Sequence, residues 1–274
     1  GDYPDGIILV RELREAGIAA PILASDANFV DYFIDQANRS GRVGGRIVMV
    51  GSTGSGRDRA LNEQDGLFTL TIQGVREGER IQETRIISSV SRAISSNDGW
   101  RDVLACARNP DLELVFSNTT EVGISLDEGD DPSLEPPRSF PGKLTRFLLE
   151  RGRAFDFAAE KGIVVVPCEL IENNGSRLRE IVLELARRWD LEAAFVRWVE
   201  QEVRFCNTLV DRIVPGTPEE DRLEELRSEL GYRDEMLTAC ELYRLFAIEG
   251  DEELSERLAF PGTDDGVIVT PDVT

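Results

Sequence analysis

Short apolar runs alternate with amphipathic stretches along much of this chain. Apolar residues cluster at Ile22–Ala24, Ile47–Val50, Leu114–Phe116 and Ile163–Val166. Short apolar runs bounded by turn residues are typical of strands buried on both faces of a sheet. Stretches between them, such as Val30–Gly41, place apolar residues at helical spacing. This order of strand, helix and strand predicts an α/β fold, in which the four runs are neighbouring, mostly parallel strands.

Two segments depart from that alternation. Leu67–Val75 alternates apolar and polar residues, and a second run, Glu79–Ile94, follows a glycine turn. The pair predicts an antiparallel β-hairpin inserted into the α/β order. The apolar run within Gly6–Gly17 carries charged residues and is compatible with either a strand or a helix.

Further helices are predicted after the hairpin. Their predicted ranges are Asp98–Pro110, Gly142–Phe155, Ser176–Trp189 and Leu191–Phe205. An acidic, proline-rich loop, Leu126–Pro141, precedes the second of them.

The stretch FCNTLVDRIVPG, Phe205–Gly216, places polar residues among apolar ones. The four-residue spacing of Asn207 and Asp211 predicts that they share one face of a helix. One interpretation is a capped helix end with an internal ion pair between Asp211 and Arg212, since most ion pairs are structural. The other is a polar cluster that faces a ligand.

Polar clusters follow three of the predicted strands, at Ala24–Asn28, Ser117–Glu121 and Glu169–Asn174. In open parallel sheets, ligands bind outside the carboxyl ends of the strands. Each cluster also has a local structural explanation. Ala24–Asn28 is compatible with an ordinary strand-to-helix turn, Thr119 or Thr120 with a helix N-cap ahead of Glu121, and Asn174-Gly175 with the close of a turn. Ligand contact and local capping are compatible with each other.

Composition narrows the possible partners. With 52 acidic and 31 basic residues, the chain has a formal charge of -21, which repels phosphate backbones and argues against nucleic acid binding. Four widely spaced cysteines predict reduced thiols in a cytoplasmic protein, not a disulfide framework or a metal site. The chain has no histidine, so the most common general base and transition-metal ligand is missing from these residues.

Several longer strings together resemble one family. LVFSNTTEVGIS, KGIVVVPCELIENNG, FCNTLVDRIVPG and ELGYRDEML occur in the order found in the mannitol dehydrogenase family of polyol long-chain dehydrogenases, and the resemblance runs from about Pro21 to the end. It implies that Gly1–Thr274 is a Rossmann-type domain that binds NAD, followed in the family by a mostly helical catalytic domain. It also implies hydride transfer between the nicotinamide and the keto group of a sugar acid.

The resemblance also implies site residues. The cofactor-binding candidates are Ser25, Asp26, Ala27, Asn28, Phe29, Ser117, Asn118, Thr119, Thr120 and Glu121. The substrate-binding candidates are Glu169, Asn174, Asn207, Asp211, Arg212 and Lys143. Among these, Asp211 is expected in the substrate pocket, with Arg212 orienting it, and Lys143 is either a solvated lysine or an anion-binding one.

Two departures from the family pattern change the expectations. The glycine-rich turn of the family is replaced by SDANFVDYF, in which only Asn28 and Phe29 carry over, and this predicts weak NADH binding. The catalytic lysine of the family, with its asparagine and histidine helpers, is expected beyond Thr274. We therefore expect no catalytic residue within the chain and no activity from it alone.

Two hypotheses follow. The chain is the cofactor-binding part of an NAD-dependent sugar-acid oxidoreductase, or it is a non-catalytic binding or assembly module derived from the same fold with a degraded nucleotide site. Cofactor binding and the presence of a helical catalytic domain distinguish the two.

Overall fold

The fold is described from a computed structural model. The structure describes residues 6–11, 30–39, 46–51, 56–119, 122–215, 220–258 and 266–273. The predicted strand Ile22–Ala24 and the turn that follows it lie outside the described residues.

The largest sheet has six strands in the order β5-β2-β1-β6-β7-β8. These strands are β1 (Gly6–Arg11), β2 (Arg46–Gly51), β5 (Val90–Ser95), β6 (Leu114–Ser117), β7 (Val164–Pro167) and β8 (Arg204–Phe205). The pairs β2–β5, β6–β7 and β7–β8 are parallel, whereas β1 is antiparallel to both β2 and β6. Since β1 opposes both neighbours, five of the six strands run in one direction, as the sequence predicts.

Three of the four predicted strands are therefore confirmed as members of one sheet, but β2 and β6 are not neighbours, because β1 lies between them. All four residues of β6 and of β7 are buried, which accounts for their unbroken apolar sequence. The strand-or-helix alternative for Gly6–Gly17 is settled as a strand over Gly6–Arg11.

Helices cover the sheet. They are α1 (Val30–Arg39), α2 (Arg57–Glu63), α3 (Trp100–Ala107), α4 (Phe140–Ala154), α5 (Asn174–Arg188), α6 (Ala193–Gln201), α7 (Glu220–Leu230) and α8 (Glu252–Leu258), with a 3-10 turn at Ala159–Lys161. Helix α4 packs against α3, α5 and α6, and α5 also packs against β7 and β8. Within the described residues, no helix is long and apolar enough to cross a membrane.

Two small sheets complete the fold. The predicted hairpin is confirmed as β3 (Phe68–Arg76) and β4 (Glu79–Ile87), to which β10 (Thr238–Glu241) adds a parallel strand. The end of its predicted second run, Val90–Ile94, instead belongs to β5 and pairs with β2. The other sheet, of β9 (Thr208–Asp211), β11 (Leu245–Glu249) and β12 (Val267–Thr270), has the order β12-β11-β9.

The predicted helix Leu191–Phe205 is wrong at its end. Helix α6 stops at Gln201, and the chain then forms β8 and β9. Strand β8 pairs with β7 and β9 pairs with β11, and both are partners distant in sequence. Non-local pairing therefore decides the conformation of this segment, which local apolar spacing alone assigned to a helix.

A buried arginine ties the helical layer together. Arg151 of α4 is 1% exposed, and its guanidinium donates to the carbonyl oxygens of Lys161 at 2.8 Å, Ala107 at 3.1 Å, Asn109 at 2.9 Å and Leu112 at 2.8 Å. Burial lowers the pKa of Arg151 to about 10. Four backbone carbonyls thus share one cation as a donor, and the Asn109 carbonyl also accepts from the Leu112 N–H at 3.2 Å.

We expect Arg151→Met to destabilise the fold by roughly 3 kcal/mol, because four carbonyls lose a hydrogen bond in a buried site and, within the described residues, only that of Asn109 keeps another donor. The measurement is the free energy of unfolding in urea. The matched control is Arg153→Met on the same helix, where the side chain is 55% exposed and pairs with Glu192. Such surface pairs contribute about 0–1 kcal/mol. Equal losses in the two variants would contradict the role given to Arg151.

Candidate functional site

The candidate site lies at the carboxyl ends of the neighbouring parallel strands β6 and β7. A cleft of about 410 Å³ opens there, lined by Glu169–Asn173, Thr208–Val210 and Val273. The polar segment after β7 and the start of β9 thus form two of its walls. This is the sheet edge at which α/β folds bind ligands.

Glu169 follows β7 and is 2% exposed. Its Oε2 accepts from the Ser117 hydroxyl at 3.1 Å, and its Oε1 accepts from the Thr119 backbone N–H at 3.0 Å and hydroxyl at 2.8 Å. Burial raises the pKa of Glu169, and the three hydrogen bonds oppose that rise. The structure therefore brings together residues from two of the predicted polar clusters.

The neighbouring Cys168 is not a reactive thiol. Its side chain is 3% exposed, and burial together with the charge of Glu169 raises the pKa of Cys168 well above its ordinary value. A thiol that stays protonated is a poor nucleophile. Cys168 acts as a small apolar side chain of the core.

Asn174, at the start of α5, is fully buried. Its side-chain N–H groups donate to the carbonyl oxygens of Pro167 at 3.1 Å and Glu169 at 3.0 Å, and to the Thr208 hydroxyl at 3.0 Å. Its Oδ1 accepts from the backbone N–H of Thr208 at 2.9 Å and of Gly175 at 2.8 Å. The amide thus joins the end of β7, the start of α5 and the start of β9.

The predicted Asn174-Gly175 turn is the first turn of α5, and it requires glycine for a packing reason. A Cβ placed on Gly175 would lie 2.2 Å from the backbone oxygen of Cys206. The helix therefore begins in direct contact with the chain just ahead of β9.

The prediction that Asn207 and Asp211 share one face of a helix is wrong, because the segment is extended. Asn207 accepts from the Ser176 backbone N–H at 2.9 Å and donates to the Glu249 carboxylate at 3.2 Å. Asp211 ends β9 and is exposed. The guanidinium of Arg212 donates to the Glu241 carbonyl at 3.3 Å.

Lys143 lies in the first turn of α4 and is 6% exposed. Its ammonium donates to the Arg138 carbonyl at 3.4 Å. The solvated alternative for this lysine is therefore wrong. The anion-binding alternative stays a prediction.

Among the cofactor candidates, Ser117, Asn118 and Thr119 are described: Ser117 is the last residue of β6, and Asn118 and Thr119 follow it beyond the sheet. Ser117 is buried, while Asn118 and Thr119 are partly exposed. Ser25–Phe29, Thr120 and Glu121 lie outside the described residues.

Sequence reasoning missed a cluster of arginines around Tyr32 of α1. The guanidinium carbons of Arg85, Arg212 and Arg244 lie 5.1, 4.9 and 5.6 Å from the centre of that ring. Cations at these distances are attracted to an aromatic face. The three come from separate parts of the chain, so no local signal in the sequence predicts their meeting.

The fold and its polar edge define a class, that of Rossmann-type dinucleotide-binding domains. A family model described as the mannitol dehydrogenase Rossmann domain matches residues 29–262. The chain belongs to this family, which confirms the resemblance seen in its motifs.

Its relatives include altronate oxidoreductases. The enzyme from Bacillus subtilis (strain 168) is 44% identical over 232 residues, which are 85% of this chain and 48% of the relative. The enzyme from Yersinia enterocolitica is 44% identical over 246 residues, which are 89% of this chain and 51% of the relative. The chain therefore spans about half the length of the curated relatives it matches.

Solved structures show the same fold. Pseudomonas fluorescens mannitol 2-dehydrogenase, in a ternary complex with NAD and D-mannitol, aligns with a TM-score of 0.72 at 24% identity, covering 90% of this chain and 51% of that one. A substrate-free D-sorbitol dehydrogenase aligns with a TM-score of 0.70 at 22% identity, covering 91% of this chain and 53% of that one.

We expect Asn174→Asp to destabilise the fold by roughly 3 kcal/mol near neutral pH. The change is nearly isosteric, but it turns a carboxylate oxygen toward the carbonyl oxygens of Pro167 and Glu169. Such an aspartate has its pKa raised in the folded state, so the destabilisation grows as pH rises above the ordinary aspartate range. Urea unfolding at pH 4.5 and pH 8 measures the effect.

The matched control is Asn173→Asp, one residue earlier and exposed. Its positive φ of 53° is a conformation that aspartate tolerates. A loss in Asn174→Asp no larger than in Asn173→Asp, or a loss independent of pH, would contradict the assigned orientation of the amide.

Proposed function

We propose that this chain is the cofactor-binding part of an NAD-dependent oxidoreductase that interconverts tagaturonate and altronate. The observation that carries the proposal is the polar cluster of Ser117, Thr119, Glu169 and Asn174 at the carboxyl ends of β6 and β7. It lies at the ligand-binding edge of a Rossmann sheet whose relatives are named altronate oxidoreductases.

The described part of the edge fits a dinucleotide. Asn118 and Thr119 are partly exposed where the chain leaves β6, and they would line the nicotinamide side of NAD, while the buried Ser117 would support them. The bound cofactor supplies the hydride or accepts it. Ser25–Phe29 would face the pyrophosphate, as the resemblance implies.

The proposed substrate site is the cleft. Its lining residues, Glu169–Asn173 and Thr208–Val210, adjoin the cofactor edge, and Asp211 lies at the end of the same strand wall. A keto sugar acid in this cleft would place its reacting carbon beside the nicotinamide. Asp211 is the candidate to bind its hydroxyl groups.

Reduction of a ketone needs a proton donor at the developing alkoxide. The chain has no histidine, and its only lysines are Lys143 and Lys161. Lys143 donates to the Arg138 carbonyl, and Lys161 precedes β7, at the edge opposite the cleft. Glu169 accepts three hydrogen bonds from the chain itself. We infer that the acid is supplied by a helical catalytic domain that forms the other half of such an enzyme.

We expect NADH to bind this chain weakly, because a backbone without glycine is strained where it must approach a pyrophosphate. NADH fluorescence, titrated to millimolar cofactor, measures the affinity. The double variant Ser25→Gly and Ala27→Gly restores the glycines of the family pattern. We expect it to bind NADH roughly tenfold more tightly, because relief of one strained backbone position contributes a free energy of that size.

Asp26→Gly is the control for that experiment, since it loosens the same turn without restoring the pattern. Absence of any binding in both the natural chain and the glycine variant would favour the alternative, a non-catalytic module with a degraded nucleotide site. Equal tightening by Asp26→Gly would show that flexibility alone is responsible.

We expect no NADH-dependent reduction of tagaturonate by residues 1–274 alone, with the Bacillus subtilis enzyme as the active control. A fusion of this chain to the second half of that relative is expected to gain activity. In the fusion, Asp211→Asn should lower kcat while leaving NADH affinity within about twofold, because its role is at the substrate. Robust turnover by the chain alone would show that the proton donor lies within it.

A further inference from the structure

One buried carboxylate at the cleft directs its hydrogen bonds toward the segment that follows β6. Glu169 accepts from Ser117 at 3.1 Å and from both donors of Thr119 at 3.0 and 2.8 Å. Among the residues that line the cleft, Glu169 is thus the one whose carboxylate contacts Ser117 and Thr119, where β6 ends. The substrate role that the resemblance implies for it does not account for these contacts.

The segment needs such an anchor, because strand pairing ends just before it. The β6–β7 ladder stops at Ser117 opposite Pro167, and the last backbone bond runs from the Cys168 N–H to the Ser117 carbonyl at 2.6 Å. Beyond that point, the described tie between the two strand ends is the Glu169 side chain. A buried carboxylate with several donors is a rigid connection, since leaving either side unpaired costs the desolvation of a polar group.

We propose that Glu169 is a positioning residue, whose carboxylate holds Ser117–Thr119 in the conformation that receives the nicotinamide side of NAD. The proposal rests on the proposed function, because it assigns a role within that cofactor site. It moves Glu169 from the substrate side of the cleft to the support of the cofactor.

The charge of Glu169 matters to this role. An ionised carboxylate accepts all three bonds with the help of its charge. A protonated one is neutral, so it accepts the two Thr119 bonds more weakly, and the Ser117 hydroxyl must reverse its direction to accept from it. Burial raises the pKa of Glu169, so protonation begins above the ordinary glutamate range as pH falls. NADH affinity should therefore decrease on acidification.

The described groups around this carboxylate do not obscure its titration, so a change of NADH affinity with pH can be assigned to Glu169. Those facing it from β6 are hydroxyls and a backbone N–H, and the cleft wall from β9 is uncharged at Thr208–Val210. On its own segment, Cys168 is a buried thiol whose pKa is raised, and Glu172 is exposed.

The experiment compares Glu169→Gln, Glu169→Asp and the control Glu180→Gln, an exposed position on α5. Two measurements are made: amide hydrogen exchange at Thr119, and NADH affinity between pH 5 and pH 8. For Glu169→Gln we expect Thr119 to exchange at least tenfold faster, NADH affinity to fall at least tenfold at pH 8, and the pH dependence to disappear. Glu169→Asp should recover part of both effects, and Glu180→Gln should match the natural chain.

Unchanged Thr119 exchange in Glu169→Gln would overturn the proposal, whether or not affinity changes. Faster exchange with unchanged NADH affinity would also overturn it, because the segment would then not serve the cofactor. If the natural chain binds no NADH at all, the proposed function fails, and with it the cofactor role of Glu169, while the exchange data alone then report whether the carboxylate anchors the segment. Circular dichroism of each variant separates a local change from loss of the fold.

Discussion

The side-chain amide of Asn174 is the interaction on which the rest of the candidate site depends. It is fully buried and satisfies carbonyl oxygens at the end of β7 while accepting the backbone N–H of Thr208 at the start of β9. Because water cannot replace the hydrogen bonds of such a buried amide, its partners must keep their relative positions. The direction in which Glu169 leaves β7, the start of α5 and the cleft wall from β9 are all set by this one group.

Two buried charged side chains, Arg151 and Glu169, are balanced by hydrogen bonds with polar uncharged groups. Arg151 meets four carbonyl oxygens, and Glu169 meets two hydroxyls and a backbone N–H. The surrounding backbone fixes the positions of such partners. Their hydrogen bonds therefore hold loops in place and also stabilise the buried charges. Arg151 fixes loops of the helical layer, whereas Glu169 fixes the edge where a cofactor would bind. The formal charge of -21 is carried elsewhere, largely on exposed acidic side chains.

The cleft combines an engaged polar floor with an apolar rim. Its walls hold hydrogen-bonding groups that are already engaged, and its rim exposes Leu170, which is 68% exposed, and Leu209, which is 47% exposed. Apolar rims beside a polar floor are common where a further domain or a ligand packs. The proposed function requires a proton donor from a second, helical half, and the chain spans about half the length of the curated relatives it matches.

The sequence by itself determined the α/β class, the hairpin, three buried strands of the main sheet and the polar clusters that follow two of them. These features are predicted by the local periodicity of apolar residues, which follows from the geometry of a single helix or strand. Its motifs also determined the family. The tertiary structure alone decided that Phe205–Asp211 is extended, because its strand partners in β7 and β11 are remote in sequence. It alone turned Asn174 and Asn207 into ties between elements, buried Lys143, and joined Glu169 to Ser117 and Thr119. Those outcomes depend on which groups lose water together, and burial is a property of the folded chain that no local pattern encodes.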